Sequence, residues 1–540
     1  MEILPTIMIS ILALILLSQV PSPTTALIPT HEAFLHCVSL HSPPSTNHSQ
    51  ELLYFPNTTS YSSLYISTIY NLRFASTTSN SALTPLFIVA PTQDVHVQAT
   101  VICTRNLGLH LRVRSGGHDY EGLSYRSYDH RPFIMLDLAK FRSVTVDVEH
   151  DTALVEVGAT LGELYYKIAE KSPVHSFPAG ICPSVGVGGH ISGGGMGNLV
   201  RKYGLAADNV LDVKLVDVNG KVLDRKSMGE DLFWAIRGGG GASFGVILSW
   251  TVRLVPVTPK VAVFTMHKGL ADGVLDLLDK WQRISSKLHE NVYMEAAIRQ
   301  PMYNGTKGME ALFNFQFMGG CEELLGIMKE NFPELGVEAK DCKEMSWIQS
   351  VMYYAGYRNG EPLETLLNRS SVSGIYVKGK SDFVEEPIAR DAWKGIWDEF
   401  VGVSGRSLLM YMAPYGGKMD EIPESETPFP HRKGSLYNIQ YLVAWRNGSA
   451  NESDESLRVI RRLYKHMRPY VSKNPRAAYV NFRDLDLGMN KDAISYSGAK
   501  VWGKHYFKSN FKRLALVKGQ VDSENFFRNE QSIPPLYRSE

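Results

Sequence analysis

The sequence predicts an α+β chain in two parts, a glycine-rich first domain and a second domain with an antiparallel sheet backed by helices. Three observations predict it. From residue 84, strand-like and helix-like stretches alternate in a βαβ-like order. Three glycine clusters, at 116–117, 186–197 and 238–245, interrupt that same region. Past Pro259 the pattern changes to long strands in which apolar and polar residues alternate.

Residues 1–26 read as a secretory signal. The run IMISILALILL (Ile7 to Leu17) is too short to span a bilayer comfortably, and small residues lead to Ala26 as the last residue before cleavage. Glu2 is the only charged side chain ahead of the run, so a signal anchor is the competing reading. No later stretch is long and apolar enough for a membrane helix. Residues 27–80 are rich in Ser, Thr and Pro, with helical and loop character. TPLFIVAP then reads as a strand, TQDVHVQATVICTRNLG as a helix ending at Gly108, and LHLRVRSGG as a strand running into a glycine turn. FIMLDL and ALVEVGA are further strands. Thr160 and Glu163 form a capping box that opens a helix reaching Lys171. VLDVKLVDVNGKVL is a hairpin turning at Asn219-Gly220. DLFWAIRGGGGASFGVILSWTVRLVPV gives a helix, a glycine loop and a strand.

The second domain opens with a helix near 270–288. In LFNFQFM, Phe313, Phe315 and Phe317 share one face while Asn314 and Gln316 take the other. In SLYNIQYLVAW, Asn438 and Gln440 face away from Tyr437, Ile439 and Tyr441. Ser453 is the expected cap of a helix with acidic residues early and Arg461, Arg462, Lys465 and Arg468 late. The expected division is a signal at 1–26, a first domain at 27–259, a second at 260–474, and a C-terminal segment at 475–540 that returns to the first.

Charge is balanced, with 56 basic against 55 acidic residues, so no field draws the chain to nucleic acid or to an acidic membrane. Asn47, Asn57, Asn304, Asn368, Asn447 and Asn451 each begin a glycosylation sequon. Behind a signal, six sequons point to a glycosylated protein of the secretory route. Five cysteines leave at least one unpaired if the rest form bridges.

Glycine lets backbone approach a ligand closely and turn several N–H groups toward a phosphate. No cluster has the spacing of a dinucleotide-binding Rossmann loop or of a P-loop. Three clusters in one domain nevertheless favour a bound diphosphate over plain structural turns. His118 and Cys182 each border a cluster. His118 reads as a solvated turn residue, as a metal ligand with His190 and Cys182, or as a nucleophile attaching a cofactor covalently together with the Cys182 thiolate. No CxxC or HxxxH spacing supports the metal, and covalent attachment also accounts for the odd cysteine.

The stretches RSGGHDYEGLSY, PAGICPSVGVGGHISGGGMG, DLFWAIRGGGGASFGVI and NFRDLDLG…FFRNEQSIPPL resemble plant berberine bridge enzyme-like flavoproteins of the vanillyl-alcohol-oxidase type. The resemblance covers nearly the whole mature chain. It implies a two-subdomain FAD-binding domain plus a substrate domain, with FAD attached twice, through His118 and Cys182. Arg114, Ser115, Gly116, Gly117, Ser124, Gly188, Gly189, His190, Ser192, Gly195 and Gly197 would surround the cofactor, with Val246 and Asn481 near the flavin. Cys37 and Cys103 match the family's disulfide, while Cys321 and Cys342 either pair or stay as thiols. Val185 resembles the small gatekeeper that admits oxygen in family oxidases.

The same resemblance puts Tyr120, Asn438, Gln440 and Tyr479 on the substrate side. Yet Met196 and Phe482 stand where relatives carry tyrosines, and neither side chain moves a proton. Position 438 is Asn where some relatives have an ionisable residue. Three explanations stay open: Tyr120 or another residue is the base, the substrate ionises easily, or the flavin serves as a scaffold for a redox-neutral cycloaddition. Arg299 and Arg446 either orient a ligand or are surface charges. The implied activity is an oxidase of a specialised metabolite (phenolic, prenylated aromatic or alkaloid), with hydride passing to flavin N5 and oxygen giving hydrogen peroxide. Carbohydrate oxidation, a [4+2] cyclase and a non-catalytic flavin glycoprotein are the rivals. The expected protein is a monomer of the apoplast or vacuole whose partners are a small molecule and oxygen.

Overall fold

The computed structural model describes residues 31–43, 52–67, 69–75, 84–129, 131–300, 309–358, 360–369, 374–403, 405–490 and 495–537. The signal stretch and the sequons at Asn47 and Asn304 lie outside the described residues. Asn57, Asn368, Asn447 and Asn451 are exposed.

Three larger sheets carry the architecture. The first runs β1 (Leu53–Tyr54), β2 (Ile88–Val89), β4 (Phe133–Asp137), β3 (His110–Arg114), with β4 parallel to both β2 and β3. Every residue of β4 is buried, as the apolar run FIML requires of a central parallel strand, and the buried carboxylate of Asp137 at its end is paired with Arg114. The helix Asp94–Asn106 crosses from β2 to β3 and ends where Gly108 takes a left-handed φ of 66°. The Cys37–Cys103 disulfide ties this helix to the N-terminal helix His31–His41.

The second sheet is antiparallel, in the order β5 (Val144–Asp147), β6 (Thr152–Glu156), β10 (Val246–Arg253), β8 (Val210–Val216), β9 (Val222–Leu223). The parallel, βαβ-like character therefore ends at β4. Strands β5 and β6 keep one face toward water, which an antiparallel sheet tolerates. A short pair, β7 (His175–Ser176) and β11 (Val255–Pro256), lies beside it. Thr160 caps the helix Leu161–Lys171 with its reciprocal bond to Glu163. The β8–β9 turn at Asn219-Gly220 forms as expected.

The third sheet has seven antiparallel strands in the order β15 (Lys343–Met345), β12 (Val261–Lys268), β14 (Glu310–Phe317), β13 (Val292–Gln300), β17 (Ser407–Pro414), β18 (Tyr437–Trp445), β16 (Tyr376–Val384). Phe313, Phe315, Phe317, Tyr437, Ile439 and Tyr441 form one core with Trp281 and Leu463 from the helices Val274–Ile284 and Ala450–His466. Two boundaries differ from expectation. TPLFIVAP yields only two paired residues. The cap of Ala450–His466 is Ser449, whose hydroxyl accepts from the Glu452 N–H, while Ser453 lies inside the helix beneath Trp445.

The C-terminal helices Tyr496–Phe507 and Asn510–Val521 bury Trp502, Phe511 and Leu514 in the core of the first two sheets. Buried charges join the parts. Lys378 of β16 contacts Glu121 and donates to Asp484 at 2.7 Å, and Lys380 donates to Asp484 at 2.6 Å. The second disulfide, Cys321–Cys342, settles the other open pairing.

Candidate active site

The first two glycine clusters touch. A Cβ on Gly116 would lie 2.3 Å from the Gly186 nitrogen, and one on Gly186 would lie 2.4 Å from the Gly116 nitrogen. Only a residue without a side chain permits that backbone contact. Behind them, Gly193 packs on Asn481 and Gly241 on Ser192. Between the clusters runs a cleft lined by Ser115, Gly116, Gly117, His118, Tyr120, Ser124, Val185, Gly188, Gly189, His190, Ser192 and Asn481, all expected there.

The cleft offers what a dinucleotide needs. Bare backbone faces open space at Gly189, and only the Arg483 guanidinium lies within 4 Å of a Cβ built on Gly240. The Ser124 hydroxyl lines the cleft and is buried without a hydrogen-bond partner. Such an orphan costs free energy unless a bound group satisfies it. Arg483 and Arg528 add positive charge to the lining. These features fit FAD and its diphosphate.

His118 and Cys182 share one neighbour. His118 Nε2 lies 3.0 Å from the Ser184 hydroxyl, and the Cys182 sulfur lies 4.0 Å from the same oxygen. Tyr70 stacks on the His118 ring at 4.7 Å. Burial lowers His118 to about 4, against a raising contribution from Ser184, so the imidazole is neutral at physiological pH and keeps a lone pair. Cys182 is exposed and is the one cysteine of five outside a disulfide. The surrounding protein pushes its thiol up, and the hydrogen bonds with Ser184 pull it down.

At the other end, Gln440 Nε2 donates to the Tyr120 hydroxyl at 2.7 Å. Gly379 leaves room for the Tyr120 ring, since a Cβ there would meet it at 2.7 Å. Burial, with smaller contributions from Tyr70 and Cys182, raises Tyr120 well above its ordinary value. The Tyr479 hydroxyl accepts from the Gly195 N–H at 2.9 Å and from Asn481 Nδ2 at 3.0 Å. Burial pushes it up to about 12. Phe482 lies between these tyrosines, 6.2 Å from Tyr120 and 4.9 Å from Tyr479.

Several expected site residues stand apart from the lining. The Arg114 guanidinium is buried on Asp137 and on the Leu64 and Tyr65 carbonyls. Gly195 and Gly197 pack on Ala206 and the Ala179 carbonyl, and Val246 is buried in the core. Asn438 donates to the Asp382 carbonyl at 2.9 Å. Arg299 pairs with Glu310 at 2.8 Å through Nε, and Arg446 is exposed. His190 Nε2 accepts from the Gly180 N–H at 3.0 Å, away from His118's partner. Sequence reasoning missed Ser184 and Tyr70, and also Glu295, a carboxyl 2 % exposed on β13.

Comparison with known proteins agrees with this geometry. Residues 85–225 match the model of the FAD binding domain, so the glycine-lined cleft is that of a FAD-binding protein. Residues 478–534 match the model described as berberine and berberine like. The chain is 49% identical over 512 residues to Berberine bridge enzyme-like 23 of Arabidopsis thaliana, covering 94% of each. It is 49% identical over 527 residues to tetrahydroberberine oxidase of Berberis wilsoniae, covering 97% of each. Among solved structures, the grass pollen allergen Phl p 4, with glucose dehydrogenase activity, superposes with a TM-score of 0.87 at 46% identity, covering 94% of this chain and 100% of that one. The chain belongs to the berberine bridge enzyme-like family and is a FAD-dependent oxidoreductase.

Proposed function

We propose that the protein is a FAD-linked oxidase of a plant specialised metabolite, with FAD attached through both His118 and Cys182. One observation carries this reading: the single unpaired thiol and a neutral imidazole flank Ser184 beside a cofactor cleft. Ser184 occupies His118 Nε2, which leaves Nδ1 for attachment. The flavin, when bound, supplies a hydride acceptor whose electrons pass to oxygen and give hydrogen peroxide.

The chain's own groups position the substrate. Tyr120 stays protonated and, held by Gln440, presents a fixed hydroxyl. Tyr479 holds Gly195 and Asn481 in place. Tyr120 and Phe482 offer flat aromatic surface, which suits an aromatic or alkaloid substrate, and the name tetrahydroberberine oxidase supports that class. Val185 lines the cleft as the oxygen gate. In Phl p 4 the wild type is a glucose dehydrogenase, and a variant with one isoleucine replaced by valine is a glucose oxidase. Those two activities also make carbohydrate oxidation the second reading. The cyclase reading rests on Met196 and Phe482. Two disulfides and four exposed sequons support a glycoprotein of the apoplast or vacuole.

Two experiments test this. Denatured holoenzyme keeps its yellow colour, singly linked His118→Ala or Cys182→Ala protein keeps it too, and the double variant releases it; a colourless wild-type precipitate overturns the attachment. Anaerobic mixing with tetrahydroberberine, a simple alkylphenol or glucose bleaches the flavin of an oxidase, and peroxide appears in air. Bleaching by glucose alone selects the carbohydrate reading, and product formation without bleaching selects the cyclase.

A further inference from the structure

The third sheet turns its second face away from the Phe core, and that face carries a row of polar side chains across five strands. Thr265 of β12 stands opposite Asn314 of β14, and Asn314 opposite Glu295 of β13. Tyr411 of β17 pairs with Ala297, diagonal to Glu295, and stands opposite Gln440 of β18. Partners on one face of an antiparallel pair have Cβ atoms about 5 Å apart. Gln440 in turn reaches Tyr120. The row therefore ends at the aromatic end of the cofactor cleft.

Glu295 is the one carboxyl within this row. Asn314 Nδ2 donates to its Oε1 at 2.8 Å, and the Tyr411 hydroxyl donates to its Oε2. Tyr293 from its own strand and Tyr354 from the helix Trp347–Tyr354 also face it, and Tyr353 of that helix meets Thr265 at 2.8 Å. No cation is among these neighbours. Of the basic groups further along the face, His267 and Arg299 are both paired with Glu310, and exposed Lys343 of the edge strand lies over the Tyr353 ring at 5.9 Å. Burial without a cation raises Glu295 to about 8, against lowering hydrogen bonds from Asn314 and Tyr293. A carboxyl near that value takes and releases protons at working pH. Tyr411, its outer donor, is only half-buried and lies on the Gln440 side.

We propose that Tyr411 and Glu295 form an acid–base pair beside the aromatic end of the cofactor cleft, Tyr411 meeting the substrate's phenolic O–H or ammonium N–H and Glu295 storing the proton. The substrate O–H or N–H bond breaks and its proton joins the Tyr411 oxygen, while Tyr411's own proton passes to Glu295 Oε2. No electrons are transferred in this step and no further reactant is needed. The pair supplies the proton acceptor that Met196, Phe482 and Asn438 cannot. The proposal rests on the oxidase reading.

The test uses flavinylated full-length protein. Infrared difference spectra between about pH 6 and pH 10 show a buried protonated carboxyl disappearing around pH 8 in wild type and absent from Glu295→Gln, whose amide still accepts from Asn314. With tetrahydroberberine or an alkylphenol as probe, the anaerobic bleaching rate rises about tenfold per pH unit up to about pH 8 and then levels. Glu295→Gln and Tyr411→Phe lower the plateau about 100-fold, remove that limb and leave flavin content intact, and the double variant is no slower than either, as groups acting as a unit require. A Glu295→Gln protein with the wild-type pH limb overturns the pair. If no probe bleaches the wild-type flavin, the oxidase reading fails, and the infrared titration decides the pair alone: no carboxyl titrating in that range overturns it.

Discussion

Gly116→Ala and Gly189→Ala separate two jobs of glycine in the cofactor cleft. A methyl at 116 would sit 2.3 Å from the Gly186 nitrogen and 2.7 Å from its Cα. Both are backbone atoms, so neither can swing aside as a side-chain tip would. Restoring an ordinary 3.4 Å contact moves the two turns apart by about 1 Å. Overpacking of that kind costs about 1–3 kcal/mol. His118, two residues on, would leave the Ser184 hydroxyl that now holds it at 3.0 Å. A displacement of about 1 Å typically costs a positioned reaction about 100-fold, and flavin attachment is such a reaction. Gly189 is the opposite case. Its Cβ would meet nothing within 4 Å, and a helical Gly→Ala change gains up to about 1 kcal/mol. There the methyl enters only the open cleft that the proposed FAD would occupy. Urea unfolding of flavin-free protein should thus show a lower midpoint for Gly116→Ala and an equal or higher one for Gly189→Ala. Flavin fluorescence on a denaturing gel should fall sharply for Gly116→Ala. Gly189→Ala should weaken initial FAD uptake. Wild-type stability and full attachment in Gly116→Ala would refute the backbone-contact argument, as would a Gly189→Ala protein destabilised to the same degree.

Attachment should depend on pH through Cys182 alone. Its thiol is raised, so the thiolate fraction and the cysteine link grow as pH rises from about 7 to 9, whereas His118 is already neutral above about pH 5. Reconstitution of Cys182→Ala should therefore be flat over that range and His118→Ala steep, and equal slopes would contradict the assignment. Lys378→Met leaves buried Glu121 with only Arg73 at 3.7 Å as an ion-pair partner while Asp484 keeps Lys380 at 2.6 Å, a loss of about 3 kcal/mol in chemical denaturation, the low end for breaking a buried pair. A loss below about 1 kcal/mol would show the cluster relaxes freely. Val185→Leu should slow reoxidation by oxygen in stopped flow while anaerobic bleaching by the same substrate keeps its rate, and an unchanged oxygen reaction would remove Val185 as the gate.

What was legible in the sequence follows from how far apart in the chain each contact is made. Capping at Thr160 and Glu163, the Asn219-Gly220 turn and the Phe313/Phe315/Phe317 face are written within a few residues, and all form. Ser449 and Ser453 show the limit of that reading. Both are serines near the start of one helix, and Ser449-x-x-Glu452 wins because its hydroxyl reaches the Glu452 N–H. Arg114 adjoins the glycine turn in sequence, yet its guanidinium is held among Asp137 and two carbonyls of another segment. Proximity along the chain therefore says little about which side chain reaches a cleft.

Glu295 marks the furthest reach of the same argument. In VYMEAAIR it is one acid inside an apolar alternating strand, which is a signal of a buried charge but not of its use. Its use depends on register, because Tyr411 comes from a strand 116 residues later and Gln440 from the strand beyond. A shift of one residue in the β13–β17 ladder would turn Tyr411 into the Phe core and leave Glu295 facing no hydroxyl. Looking for a tyrosine at 196 or 482 finds no proton acceptor, whereas following the ladders across the sheet arrives at a carboxyl raised to about 8, separated from Gln440 by Tyr411 and from Tyr120 by Tyr411 and Gln440. The groups that can move a proton beside the cofactor cleft are brought together by such long-range pairing, so the substrate chemistry of this chain is to be sought in the face of the third sheet rather than in the glycine turns.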